Sequence, residues 1–173
     1  MRRFLTIAGA IVLAVIPSHV TAGVTVPECF GRPATIVGTS GDDVLNGTRE
    51  ADVIVSKGGN DSVHGRGGPD RICAGPGDDL VHGGHYPDGW DRLEGGRGND
   101  TLIGAEFHDT IIGGPGKDVL RGGPIADALE GSGGDDELYG QRGPDNFDGG
   151  SGDDACEVES NDREVISCER PLP

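Results

Sequence analysis

The sequence predicts an all-β protein, a right-handed parallel β-solenoid of about thirteen nine-residue units, two to a coil, with N- and C-terminal caps. Three observations predict it. A nine-residue period runs unbroken from Gly38 to Glu157. Its sixth position is always Asp: Asp43, Asp52, Asp61, Asp70, Asp79, Asp91, Asp100, Asp109, Asp118, Asp127, Asp136, Asp145 and Asp154. Its eighth position is apolar throughout, from Leu45 and Ile54 to Phe147 and Cys156. A unit this short buries nothing alone, so neighbours must stack. A flexible glycine-rich linker would hold no apolar position constant.

Residues 1–22 read as a separate object. Arg2 and Arg3 precede an apolar run, Phe4 to Ile16, too short for a stable membrane span, and small residues end it at Ala22. This is the pattern of a cleavable secretory signal peptide, and it predicts a secreted, extracellular protein with no membrane segment after cleavage. The chain has a formal net charge of −16, which disfavours nucleic acid and anionic membranes as partners. Most of that acid lies in the repeat. Stacked rows of Asp repel one another unless counter-ions join them.

Residues 23–37 are expected to form the N-terminal cap. Cys29 to Val37 keeps the period, with Ile36 in the apolar slot and Ala34 in place of Asp. The repeats follow over residues 38–157. Glycine early in each unit allows a tight turn with carbonyls facing inward. The last three residues are expected to form a very short strand, its middle side chain inward. Coils of two units would stack about 4.8 Å apart by parallel pairing. One unit, Gly83 to Glu94, carries three extra residues around Tyr86 to Trp90. These rings supply either a platform for a sugar or partner, or packing against the coil. Residues 158–173 are expected to form the C-terminal cap, with Val165 in the apolar slot and Arg163 in place of Asp.

Four cysteines in an exported chain point to disulfides. Three pairings are open. Cys156–Cys168 is local and leaves Cys29–Cys73. A regularly stacked first cap would place that second pair two coils apart, about 9–10 Å, too far to bond. Either the chain before Ala34 crosses the coil edge or the pairing differs. No Cys-x-x-Cys occurs to suggest zinc.

The two sides of the coil differ. Odd units have Gly at position four throughout and Asp or Asn at position five in six of seven. Even units carry Glu50, Phe107 or Ile125 at position four and Ala51, Pro69, Trp90, His108, Ala126 or Pro144 at position five. Thirteen apolar side chains make a thin core for so much ordered backbone. Carboxylate and carbonyl oxygens select Ca²⁺ as the ion that would complete it. Bulk at position four should hinder the even turns. The expected ladder is therefore on the odd side, through Asp43, Asp61, Asp79, Asp100, Asp118, Asp136 and Asp154, with up to six interior sites. Weaker binding is expected at Asp52, Asp70, Asp91, Asp109, Asp127 and Asp145, which would instead cap their own turns.

These units resemble the RTX, or haemolysin-type, calcium-binding nonapeptide repeat, G-G-x-G-x-D-x-U-x with U aliphatic. Gly95 to Ile103 and Gly113 to Arg121 are full copies. The resemblance implies a parallel β-roll binding Ca²⁺ through the Asp carboxylates and loop carbonyls such as those of Gly95, Arg97, Gly113 and Pro115. It also implies folding that depends on calcium. The N-terminal export signal is similar to that of small stand-alone members, not the large toxins, proteases and lipases. No His-Glu-x-x-His or Gly-x-Ser-x-Gly occurs, and no Ser or Thr follows Lys117, so no zinc-protease, lipase or phosphate-loop chemistry is read. His82 and His85 read as turn residues, with a metal clip as the alternative. The expected function is a non-catalytic, monomeric, secreted calcium-binding protein. The alternatives are an extracellular adhesion module with a cell-wall, glycan or protein partner, or an accessory remnant of a secreted hydrolase.

Overall fold

The computed structural model describes residues 25–85, 89–158 and 161–171. The expected signal segment and Tyr86 lie outside them. Two eight-stranded sheets face each other. The first contains β3 (Ile36–Val37), β5 (Val53–Val55), β7 (Arg71–Pro76), β9 (Arg92–Arg97), β11 (Thr110–Pro115), β13 (Ala128–Gly133), β15 (Asn146–Asp148) and β17 (Glu164–Ile166). The second contains β4 (Val44–Asn46), β6 (Ser62–Arg66), β8 (Leu80–Gly84), β10 (Thr101–Ala105), β12 (Val119–Gly123), β14 (Glu137–Gln141), β16 (Ala155–Glu157) and β18 (Arg170–Pro171). Each of the thirteen units supplies one strand, β4 to β16, and successive strands alternate between the sheets. The protein is a parallel β-roll, as the period requires. Among the described residues no helix is long and apolar enough to cross a membrane.

Register follows the repeat. Leu102 pairs with Leu120, and Leu120 with Leu138. Across the long unit the step becomes 21 residues, Ile72 opposite Leu93 and Val81 opposite Leu102, so the extra residues leave the ladder undisturbed. Position-eight side chains fill the interior as two rows. Ile54, Ile72, Leu93 and Ile111 face Val63, Val81, Leu102 and Leu120, all fully buried.

The strands are longer than the three residues expected. In the middle coils they run five or six, because pairing continues into the loop as far as position two or three. Position two then turns the chain with positive φ, even where it is Lys57, Arg66, Ala105, Ser132 or Gln141.

The ends are built differently from each other. β1 (Glu28–Cys29) and β2 (Arg32–Pro33) form an antiparallel hairpin, not a coil. The chain before Ala34 thus doubles back, and Cys29 reaches Cys73 with Cα atoms 5.8 Å apart. That resolves the distance conflict in the regular-stacking expectation. At the other end Cys156 bonds Cys168. Val165 takes the apolar slot opposite Phe147 but is 40% exposed, since no further coil covers it.

Candidate metal-binding site

Every position-six Asp of the repeats is buried, on both sides of the roll. Except at the last Asp of each row, each Asp backbone N–H donates to the Oδ1 of the Asp one coil further on. On the odd side the chain of bonds runs Asp43, Asp61, Asp79, Asp100, Asp118, Asp136, Asp154, at 2.7 to 2.9 Å. On the even side it runs Asp52, Asp70, Asp91, Asp109, Asp127, Asp145, at 2.8 to 2.9 Å. Both rows are thus equally formed at the level of the carboxylate.

The expectation that even-side residues cap their own turns is corrected. Among the described residues own-turn capping is seen in the first coil, where Asp43 Oδ2 accepts the Thr39 amide and Asp52 Oδ2 accepts the Thr48 amide. In later coils the amide of the neighbouring coil's Asp takes Oδ1, and Oδ2 of nine of these residues is left without any donor.

The second oxygen has no such use. Oδ2 is buried without a hydrogen-bond partner in Asp61, Asp70, Asp79, Asp100, Asp109, Asp118, Asp127, Asp136 and Asp154. It lies against position one of its own unit. A Cβ on Gly95 would collide with Asp100 Oδ2, which is why glycine is needed there. Ser56 and Ala74 are exceptions, and the Ser56 hydroxyl donates to the Ala74 carbonyl at 2.9 Å. Burial away from water pushes these carboxyls up, to about 8 for Asp70 and Asp109 and about 7 for Asp118 and Asp127. An orphaned, desolvated carboxylate oxygen costs free energy that a hard cation offsets. The donor chemistry therefore fits Ca²⁺.

The two sides part company in the loops. On the odd side the position-four amide donates to the position-three carbonyl of the next loop: Gly59 to Pro76, Gly77 to Arg97, Gly98 to Pro115, Gly116 to Gly133 and Gly134 to Ser151, at 2.7 to 3.1 Å. A second ladder runs along position five, where Asn60, Asp78, Asn99 and Lys117 amides donate to the side chains of Asp42, Asn60, Asp78 and Asn99. The Asp/Asn preference at position five was visible in the sequence, but its role as an inter-loop ladder was not. On the even side position five offers no such series; His108 Nδ1 contacts the Ala126 carbonyl instead. Position four there divides. Phe107 still adopts the left-handed turn, at φ +75°, whereas Glu50 and Ile125 do not.

Among the described residues no three His, Cys, Asp or Glu side chains converge as a metal cluster. Backbone carbonyls must therefore complete any cation's shell. Of those anticipated, Arg97 and Pro115 each accept one amide and keep a second lone pair. The rows end on residues outside the repeat grammar. The Asp145 amide donates to Asp162, and the Asp154 amide to Glu169. Sequence reading missed both, because Glu169 falls out of register and Asp162 precedes the position where Asp was sought.

His82 lies 5.0 Å from His85 and 5.9 Å from His64 between ring centroids, on the outside of the second sheet. Trp90 is 70% exposed and stands edge-on to His108, so the packed alternative does not hold for it.

A family model described as the RTX calcium-binding nonapeptide repeat matches the chain in four copies, over residues 37–72, 55–84, 88–120 and 121–156. The one gap between copies falls at the inserted residues. No curated protein matches the chain.

Proposed function

The chain belongs to the RTX calcium-binding nonapeptide repeat family, and on that basis we propose that it is a secreted, non-catalytic protein whose folding is coupled to extracellular calcium. The row of buried carboxylates with an unpartnered Oδ2 carries this reading. Bound Ca²⁺ supplies positive charge between loops whose carboxylates otherwise repel. Asp43, Asp61, Asp79, Asp100, Asp118, Asp136 and Asp154 are the principal ligands, with loop carbonyls completing the shell. Seven odd loops leave room for up to six ions between them. The regular amide ladder of those loops supports their priority over Asp52, Asp70, Asp91, Asp109, Asp127 and Asp145. Residues 1–22 act as the cleaved export signal, and residues 23–37 and 158–173 as caps.

The test is circular dichroism of residues 23–173 in calcium and in EDTA, with bound metal counted by mass spectrometry. Loss of the β spectrum in EDTA and about six ions in calcium are expected. An unchanged spectrum with no metal retained overturns the reading, and ten or more tightly held ions overturn the preference for one side.

A further inference from the structure

The even-side corner of the roll carries a groove of about 690 Å³. Ala51, Pro69, Trp90 and Phe107 form its apolar wall, and Arg71 and Arg92 stand at its edge. Asp70 also lines it, but this residue is 1% exposed and its Oδ1 is held by the Asp52 amide.

Three features of this groove are unexplained by the coil. Trp90, the chain's single tryptophan, leaves most of its indole in solvent. Phe107 occupies a glycine position and holds the left-handed backbone there, a conformation costly for an aromatic residue, which places its ring in the groove. Arg71 and Arg92 are direct cross-strand neighbours, an arrangement that repels. Neither has a carboxylate partner among the described residues, where the recorded ion pair is Lys117–Glu137. Arg71 Nε is buried without a hydrogen bond. The Arg92 guanidinium is held 4.3 Å over the Phe30 ring, on the hairpin that the Cys29–Cys73 disulfide fastens.

We propose that this groove binds an acidic saccharide, with the carboxylate of a hexuronate unit received by Arg71 and Arg92 and its pyranose ring laid on the Trp90 indole. Two guanidiniums with no carboxylate partner among the described residues, in a chain of net charge −16, call for an anion from outside the protein. Their planar forks match a carboxylate. An exposed indole offers a flat apolar surface beside a wet rim, which suits a sugar's C–H face. The volume accepts one or two rings. The site shares no ligand with the odd-side carboxylate row, so it stands apart from the calcium reading.

The test is calorimetric titration of the protein in excess calcium with trigalacturonate, neutral galactotriose and tetraglutamate, following Trp90 fluorescence in parallel. Trigalacturonate should bind saturably and shift the emission, while galactotriose binds at least tenfold more weakly. Arg71→Gln, Arg92→Gln and Trp90→Ala should each weaken binding at least tenfold with an unchanged β spectrum. Arg92→Lys serves as a milder probe if Arg92→Gln loses structure, and the wild-type comparison of the three probes decides in any case. The proposal is overturned by no response to trigalacturonate, by equal binding of galactotriose, by equal or tighter binding of tetraglutamate, or by folded arginine variants that bind like wild type. Calcium dependence of the spectrum is read separately, so either idea can fail without the other.

Discussion

At the scale of single residues, the two oxygens of one carboxylate are used differently. Asp118 Oδ1 accepts the Asp100 amide, while Oδ2 is buried without a hydrogen-bond partner and is the oxygen we propose for the cation. Asp118→Asn keeps the first and removes the charge needed for the second. We expect it to lower stability in saturating calcium by about 1–2 kcal/mol, the contribution of one moderately saturated site, and to have a smaller effect at sub-saturating calcium. The even-side counterpart Asp109→Asn should show no such calcium-dependent difference. Thermal melts of both variants at saturating and at sub-saturating calcium check this, and equal losses would sink the one-sided assignment. Phe107→Gly should raise stability by about 1 kcal/mol by relieving its positive φ, as read by urea unfolding.

The same carboxyls set the pH response. Burial raises Asp109 and Asp70 from 3.8 to about 8, and Asp118 and Asp127 to about 7. Between pH 4 and 8 the unfolded chain has released protons that the calcium-free folded chain still holds. Stability without calcium must therefore fall as pH rises through that window. With calcium the sign reverses, because the ion requires the deprotonated form. In EDTA the residual β signal should be larger at pH 5 than at pH 8, and the opposite order would contradict the burial of these groups.

At the scale of elements, the weak points are the ends and the insertion. Interior strands are paired on both edges, but β3 and β4 of the first coil are paired on one edge only, and the last coil exposes Val165. The disulfides secure these ends. Cys29–Cys73 closes a separation of 44 residues and Cys156–Cys168 one of 12. Loop-closure entropy then assigns about 4 kcal/mol to the first and about 3 kcal/mol to the second. Cys29→Ser with Cys73→Ser should cost more in urea unfolding than Cys156→Ser with Cys168→Ser. The reverse order would show that the hairpin contributes little to holding the first coils. The insertion is tolerated because its residues leave the ladder between Val81 and Leu102 intact.

At the scale of the whole molecule, the fold stands on two interior rows of aliphatic side chains and two rows of Asp. The apolar rows are one side chain deep, so under the proposed function bound metal would contribute a large share. If free calcium is tenfold above an extracellular-type dissociation constant, each site adds about 1.4 kcal/mol, and six add about 8 kcal/mol, comparable to an ordinary domain's entire stability. Chelation should accordingly expand the chain, and small-angle scattering in EDTA should report a larger radius of gyration than in calcium.

The period of nine determined by itself the all-β class, the alternation of strands between two sheets, the inward Leu, Ile and Val, and the carboxylate at each corner. It could do so because every coil meets only copies of itself, so local grammar and long-range contact are the same information. Part of the odd–even difference was legible, in Glu50, Ile125 and the Asp and Asn residues of position five, though not in Phe107, which keeps the left-handed turn. What only the tertiary structure decided was whatever leaves the repeat. The hairpin that carries Cys29 to Cys73, the closing of the rows on Asp162 and Glu169, and the meeting of Trp90 and Phe107 with Arg71 and Arg92 join segments that obey no common period. Their positions depend on how the chain folds back across finished coils, and no spacing along the sequence encodes that distance.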